Sequence, residues 1–76
     1  MATLRRFDSS AIRMYANDHL PPHFHIGMND GRECLIEIDT LALIAGRVTR
    51  REIAEPLAWA KDNLAVLQAA WKELNP

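Results

Sequence analysis

Two alternating runs on either side of Asn29-Asp30-Gly31 constrain this chain more than any other feature. In His23–Met28, Phe24, Ile26 and Met28 fall on one face of an extended chain, and His23, His25 and Gly27 fall on the other. In Glu33–Ile38 the apolar face carries Cys34, Ile36 and Ile38, while Glu33, Leu35 and Glu37 point away. Period-two patterning around a turn-forming cluster predicts a β-hairpin. Parity then fixes the loop. A two-residue Asp30-Gly31 turn would set Phe24 opposite Glu37 and mix the faces. A three-residue loop sets Phe24 opposite Ile36 and Ile26 opposite Cys34. A one-residue slip turns every side chain to the wrong face, so the second register is expected, with Gly31 in the left-handed position. The same register places His23 opposite Glu37.

The flanking segments extend this hairpin. Leu4–Phe7 reads as a short strand, Asp8-Ser9-Ser10 as a turn, and Ala11–Tyr15 as a second strand with Ile12 and Met14 on one face and Arg13 and Tyr15 on the other. Asn17–Pro22 is a loop, because each proline confines the residue before it to extended backbone. Leu41–Ala45 is apolar without alternation, either a further strand or a buried connection, and Gly46 ends it. Thr49-Arg50-Arg51-Glu52 has the form of a capping box. Behind it Ile53, Leu57, Ala60, Leu64, Leu67, Trp71 and Leu74 make one stripe of an amphipathic helix that Asn75-Pro76 stops. Pro56 is expected to kink that helix near its start or to begin a second one. The expected fold is α+β: a single domain over residues 1–76, with an antiparallel sheet of three to five strands over about 3–48. That sheet packs against one long C-terminal α-helix over about 49–75.

Charge and composition narrow the function classes. Nine basic residues against 10 acidic ones give a net charge of -1, so no global attraction to nucleic acid is expected. No apolar run approaches the roughly 18 residues of a membrane span. The opening Met1–Phe7 stretch has two arginines but no apolar core of a signal peptide behind them. The lone Cys34 excludes an internal disulfide and suits a reducing compartment, so a cytoplasmic location is expected. Cys34 itself reads as a small buried hydrophobe, and Trp59 and Trp71 as core or interface anchors.

The chemistry is concentrated in one place. All three histidines lie within seven positions, as Asp18-His19-Leu20-Pro21-Pro22-His23-Phe24-His25. His23 and His25 are two apart on a strand, so their rings point the same way. His19 lies just upstream on a proline-stiffened loop. Imidazoles and a carboxylate so grouped can hold zinc or another divalent metal with an open position, with His19, His23 and His25 as ligands. They can equally do acid–base catalysis, with His23, His25, His19 and Asp18 as the catalytic set. A solvated His-x-His on the outside of a hairpin is the bland alternative. Arg13 and Tyr15 share the histidine face if their strands are adjacent. Arg47, Arg50 and Arg51 surround the helix start, where amides and guanidinium groups can converge on an anion. Arg13, Tyr15, Arg50 and Arg51 are therefore the candidate phosphate-binding residues, and Arg5 and Arg6 could extend the patch. No glycine-rich phosphate loop, nucleophile elbow or paired catalytic carboxylate is present.

The run Asn17-Asp18-His19-Leu20-Pro21-Pro22-His23-Phe24-His25-Ile26 resembles the signature of a small bacterial family, domain of unknown function 4160. The resemblance extends from the opening Arg6-Phe7 and Ile12–Tyr15 segments to the late Trp71. Two departures stand out: Leu41-Ala42-Leu43, where the family more often has a glycine-containing turn, and Pro56 inside the helix. The resemblance brings no established activity. It implies a protein-interaction module of toxin–antitoxin type, encoded beside a second small family, domain of unknown function 2442. The partner would be a second copy of the chain or a small cognate protein. The alternatives are a histidine-dependent ribonuclease or phosphodiesterase, with Arg13 holding phosphate, and a metal-binding protein. A nucleic-acid partner would require Arg5, Arg6, Arg47, Arg50 and Arg51 to converge.

Overall fold

Five strands follow one another in the computed structural model, which describes residues 2–76. They are β1 (Ala2–Arg6), β2 (Ser10–Met14), β3 (His23–Met28), β4 (Glu33–Glu37) and β5 (Leu43–Gly46), and they form one antiparallel sheet in that order. Met1, part of the opening stretch considered above for a leader, lies outside the described residues. The β3–β4 hairpin has the register that parity requires: His23 faces Glu37, Phe24 faces Ile36 and Ile26 faces Cys34. Its loop is the three-residue Asn29-Asp30-Gly31. The Gly31 amide donates to the Met28 carbonyl (3.0 Å), the Met28 amide donates to the Arg32 carbonyl (2.7 Å), and Gly31 has φ 95°. On the other side, β2 sets Ile12 against Ile26 and Arg13 against His25.

Leu41–Ala45 is not a buried connection. Its second half is the edge strand β5, and all four residues of that strand are exposed. The strand is entered through Leu41 at φ 58° and left through Gly46 at φ 114°. Gly46 pairs with Cys34 at such close range that a Cβ there would come within 2.6 Å of the Cys34 Cα and Cβ and the Glu33 carbonyl oxygen.

The C-terminal half corrects the expectation of one long helix. Two short helices are present, α1 (Ala54–Asp62) and α2 (Leu64–Leu74), broken at Asn63. The break has a local cause. In a continuous α-helix the Asn63 amide would donate to the Trp59 carbonyl, four residues back. Instead the Asn63 side-chain Nδ2 takes that carbonyl (2.8 Å), and the backbone amide turns to Ala60 (3.1 Å) at φ -131° and ψ 32°. The side chain competes with the backbone for the same acceptor, which is how Asn interrupts helices. The apolar stripe survives the interruption. Ile53, Ala60, Leu67 and Trp71 are buried against Ile12, Met14, Phe24, Ile26, Cys34, Ile36 and Ile38 of the sheet layer, with Leu57, Leu64 and Leu74 partly buried around them.

Pro56 lies in the first turn of α1, where its missing N–H has no helical acceptor in any case. The capping box forms reciprocally. The Thr49 amide donates to Glu52 Oε1 (2.9 Å) and the Glu52 amide donates to Thr49 Oγ1 (3.2 Å). It closes the turn ahead of α1, whose own N-cap residue is Ile53. Among the described residues no helix is long and apolar enough to cross a membrane.

Candidate metal centre

The loop between β2 and β3 carries Asp18 to the start of β3. Asn17 takes a left-handed conformation (φ 56°), which its short polar side chain tolerates better than most. The Leu20–Pro21 peptide is cis. The far end of α2 then fastens the loop. The Asp18 amide donates to Asn75 Oδ1 (2.7 Å), the Asn17 amide donates to the Leu74 carbonyl (3.4 Å), and Asn75 Nδ2 donates to the Tyr15 carbonyl (3.3 Å). On the other side of the loop the Pro22 carbonyl accepts the Ile38 amide (3.0 Å).

Held this way, one oxygen of Asp18 faces two histidines. Asp18 Oδ2 lies 3.0 Å from His23 Nε2 and 3.2 Å from His25 Nε2. The opposite ring nitrogens are already committed. His23 Nδ1 donates to the Pro21 carbonyl at 2.7 Å, and His25 Nδ1 donates to Glu33 Oε1 at 3.2 Å. A carbonyl oxygen and a carboxylate anion can only accept, so both Nδ1 atoms carry hydrogen. In neutral rings both Nε2 atoms are then lone pairs, aimed at a carboxylate oxygen that also carries lone pairs. His23 is 1% exposed, and its Nε2 is a buried nitrogen out of line for a hydrogen bond to Asp18. Buried polar atoms left this way are rare and call for an explanation.

Two species can fill the gap. A proton on His25 Nε2 would close its 3.2 Å contact with Asp18 Oδ2, which is in line for a hydrogen bond, but would leave His23 Nε2 unpaired. A single divalent cation satisfies all three atoms at once. Asp18, His23 and His25 each offer a ligand atom, all within 4.8 Å of one another. Two ligands about 2.0–2.1 Å from a tetrahedral zinc ion stand about 3.3 Å apart, close to the separations of 3.0 and 3.2 Å found here. The outer contacts are those that metal-bound histidines usually have, a carbonyl behind one ring and a carboxylate behind the other. Burial opposes ionisation of Asp18, but in the protonated alternative the His25 hydrogen bond, the His19 amide and the charge of the His23 and His19 rings outweigh it. They hold the carboxyl below its ordinary value.

The other candidate residues are distributed unevenly. His19 is outside the convergent group. Its ring is exposed, and its amide and its Nδ1 face the other Asp18 oxygen, Oδ1, at 2.9 and 3.2 Å. Tyr15 packs edge-on against His25, with ring centroids 4.5 Å apart, and Arg13 lies directly across the strand pair from His25. Arg50 and Arg51 lie in the turn before α1, where Arg50 donates to the Leu41 carbonyl (3.4 Å). Arg5 lies over the Phe7 ring at 5.7 Å.

Three contributors escaped the sequence reading. The sequence pattern puts Glu33 only on the outward face of its strand, whereas the register that pairs it with Gly27 makes it a diagonal neighbour of His25. Trp71, read as a core anchor, also packs its ring on His23 with centroids 5.3 Å apart. Asn75, read as a helix stop, holds the Asp18 loop, and nothing in its local sequence signals that. A family model described as "Domain of unknown function (DUF4160)" matches residues 11–72. No curated protein and no solved structure matches the chain.

Proposed function

The chain belongs to the DUF4160 family, and from that premise we propose that it is a metal-binding protein, with one divalent transition metal held by Asp18, His23 and His25. The observation that carries this reading is the convergence of two Nε2 atoms on one carboxylate oxygen, with His23 Nε2 buried and without a hydrogen-bond partner. Imidazole and carboxylate donors suit zinc and its neighbours in the transition series. Three protein ligands leave a coordination position open. A metal there supplies Lewis acidity and lowers the pKa of a bound water. The chain's own residues set the geometry: Pro21 and Glu33 fix the two rings, and Asn75 fixes the carboxylate loop. A cytoplasmic, reducing setting agrees with the buried Cys34 thiol, which burial makes harder to ionise.

The test is a titration of chelator-stripped protein, prepared without a nickel column, with Zn²⁺ and Co²⁺. One equivalent is expected to bind. His23→Ala and Asp18→Ala should abolish uptake, and His19→Ala should leave it within a few-fold of wild type. Absence of uptake by the wild-type chain would defeat the reading and leave the cluster as an acid–base or ion-paired group.

A second reading is favoured by β5. Its four exposed residues, Leu43-Ile44-Ala45-Gly46, include no charge, and the strand pairs only with β4 among the described residues. Unprotected edges of this kind invite strand addition. They support the interaction module of toxin–antitoxin type, acting on a second copy or a small cognate protein. Charged substitution at Ile44 should disperse any assembly seen by light scattering, and a monomer at all concentrations would count against it.

A further inference from the structure

The outward side of α2 lacks the charge that a solvent-facing helix surface normally carries. Leu67 and Trp71 turn into the core, while Ala65, Val66, Gln68, Ala69, Lys72 and Glu73 are exposed. From Asn63 to Trp71 the chain has no charged residue, so the middle of the exposed side is Ala65, Val66 and Ala69, with Gln68 beside them. Val66 is 49% exposed. The outer side of α1 shows the contrast, with Glu55, Lys61 and Asp62 exposed. A helix that is apolar on both sides is usually covered on both. Next to this face lies a groove of about 370 Å³, whose lining includes Pro22, Ile38, Ala69 and Trp71. Projection and recess therefore occur on one surface, as a self-complementary interface requires.

The charges at the two ends of the stretch identify the occupant. Lys61 and Asp62 precede it, and Lys72 and Glu73 follow it. All four are exposed, and among the described residues none of them forms an ion pair. Counted outward from Leu67, opposite signs stand at equal distances: Lys61 and Glu73 are each six residues away, and Asp62 and Lys72 are each five. Two copies of α2 laid antiparallel about a two-fold axis at Leu67 bring Lys61 to the partner's Glu73 and Asp62 to the partner's Lys72. A parallel pairing would set each charge beside its own kind.

We infer that α2 is an interface with a second copy of this chain, the two helices antiparallel and apolar face on apolar face. The inference uses neither the metal centre nor the β5 edge. Ala65 and Ala69 are small enough to let the helix axes approach to about 8 Å, the short end of helix packing. An 11-residue helix offers less than the roughly 800 Å² per partner of a standard interface, so the dimer should be weak and depend on concentration.

The test is sedimentation equilibrium from about 1 μM to about 1 mM. The wild type is expected to approach twice the chain mass at the upper end. Val66→Glu should stay monomeric over the range with an unchanged far-UV spectrum, because the side chain it replaces is exposed. Asp62→Lys and Lys72→Glu should each weaken the dimer about 3- to 30-fold, since the two-fold axis then sets like charges together at both ends. Mixed in equal amounts, these two variants should pair with each other to within a few-fold of the wild type, because every end contact is again between opposite charges. The double variant should recover likewise. Ile44→Asp acts on assembly through β5 and should stop at this dimer. A monomer throughout, a dimer indifferent to Val66→Glu, loss of the dimer in Ile44→Asp, or a mixture that associates no better than its separate components overturns the inference.

Discussion

Gly31 and Gly46 share a left-handed backbone but not an environment. A Cβ at Gly31 meets nothing within 4 Å, whereas one at Gly46 would strike the backbone of Cys34. Gly31→Ala should therefore cost only the backbone strain, about 1 kcal/mol. Gly46→Ala adds a steric conflict with a paired strand and should cost about 2–4 kcal/mol. Denaturant unfolding of the two variants side by side checks the difference, and equal losses would mean that β5 gives way without resistance. The same scale shows what the sequence discloses about the site. His23 and His25 are legible as a pair because strand parity puts them on one face. Asp18 is legible as their neighbour in the chain. That Asp18 rather than His19 joins the two rings is not legible, because the loop's path depends on Asn75, which lies 57 positions away.

Elements are legible in the sequence where their signal is local. The β3–β4 loop length followed from parity, and the Thr49–Glu52 box followed from spacing. The helix break did not, because the stripe from Ile53 to Leu74 keeps its four-three spacing straight through Asn63. A hydrophobic pattern reports which face is buried, not whether one polar side chain takes its neighbour's acceptor. One clip between elements also leaves no mark in the sequence pattern. Arg32, at the hairpin, forms an ion pair with Glu52, in the turn before α1, at 2.6 Å. The Arg32 hydrogen bond and the Thr49 amide hold the Glu52 carboxyl down at about 2, against an ordinary 4.5. A carboxyl depressed in the folded state contributes stability that is complete above the unfolded value and lost as pH falls toward the folded one. The clip should therefore weaken between about pH 4.5 and 2. Both groups are solvent-exposed, so the effect should be small and screened by salt. Comparing melting temperatures of wild type and Glu52→Gln across that range checks it: the gap between them should close as the pH falls.

For the molecule as a whole, size makes any bound ion matter. A chain of 76 residues buries a modest core. A metal supplied at about 100 times its dissociation constant adds about 2.7 kcal/mol. In a domain of this size that raises Tm by roughly 10–20 °C. Scanning calorimetry with and without Zn²⁺, and again after chelation, should show a rise of that order in wild type and none in His23→Ala.

Every strand of the sheet pairs with its neighbour in sequence, so the sheet can assemble through short closures that cost little chain entropy. The ties from Asn17 and Asp18 to Leu74 and Asn75 are different, for they join the two ends of the folding problem. A chain that has built its meander but not yet seated α2 already carries both imidazoles side by side on β3, with their carboxylate still astray. In the proposed centre the third ligand is therefore in place only where α2 is seated, so loosening the end of α2 is expected to weaken metal uptake before it unpairs the strands.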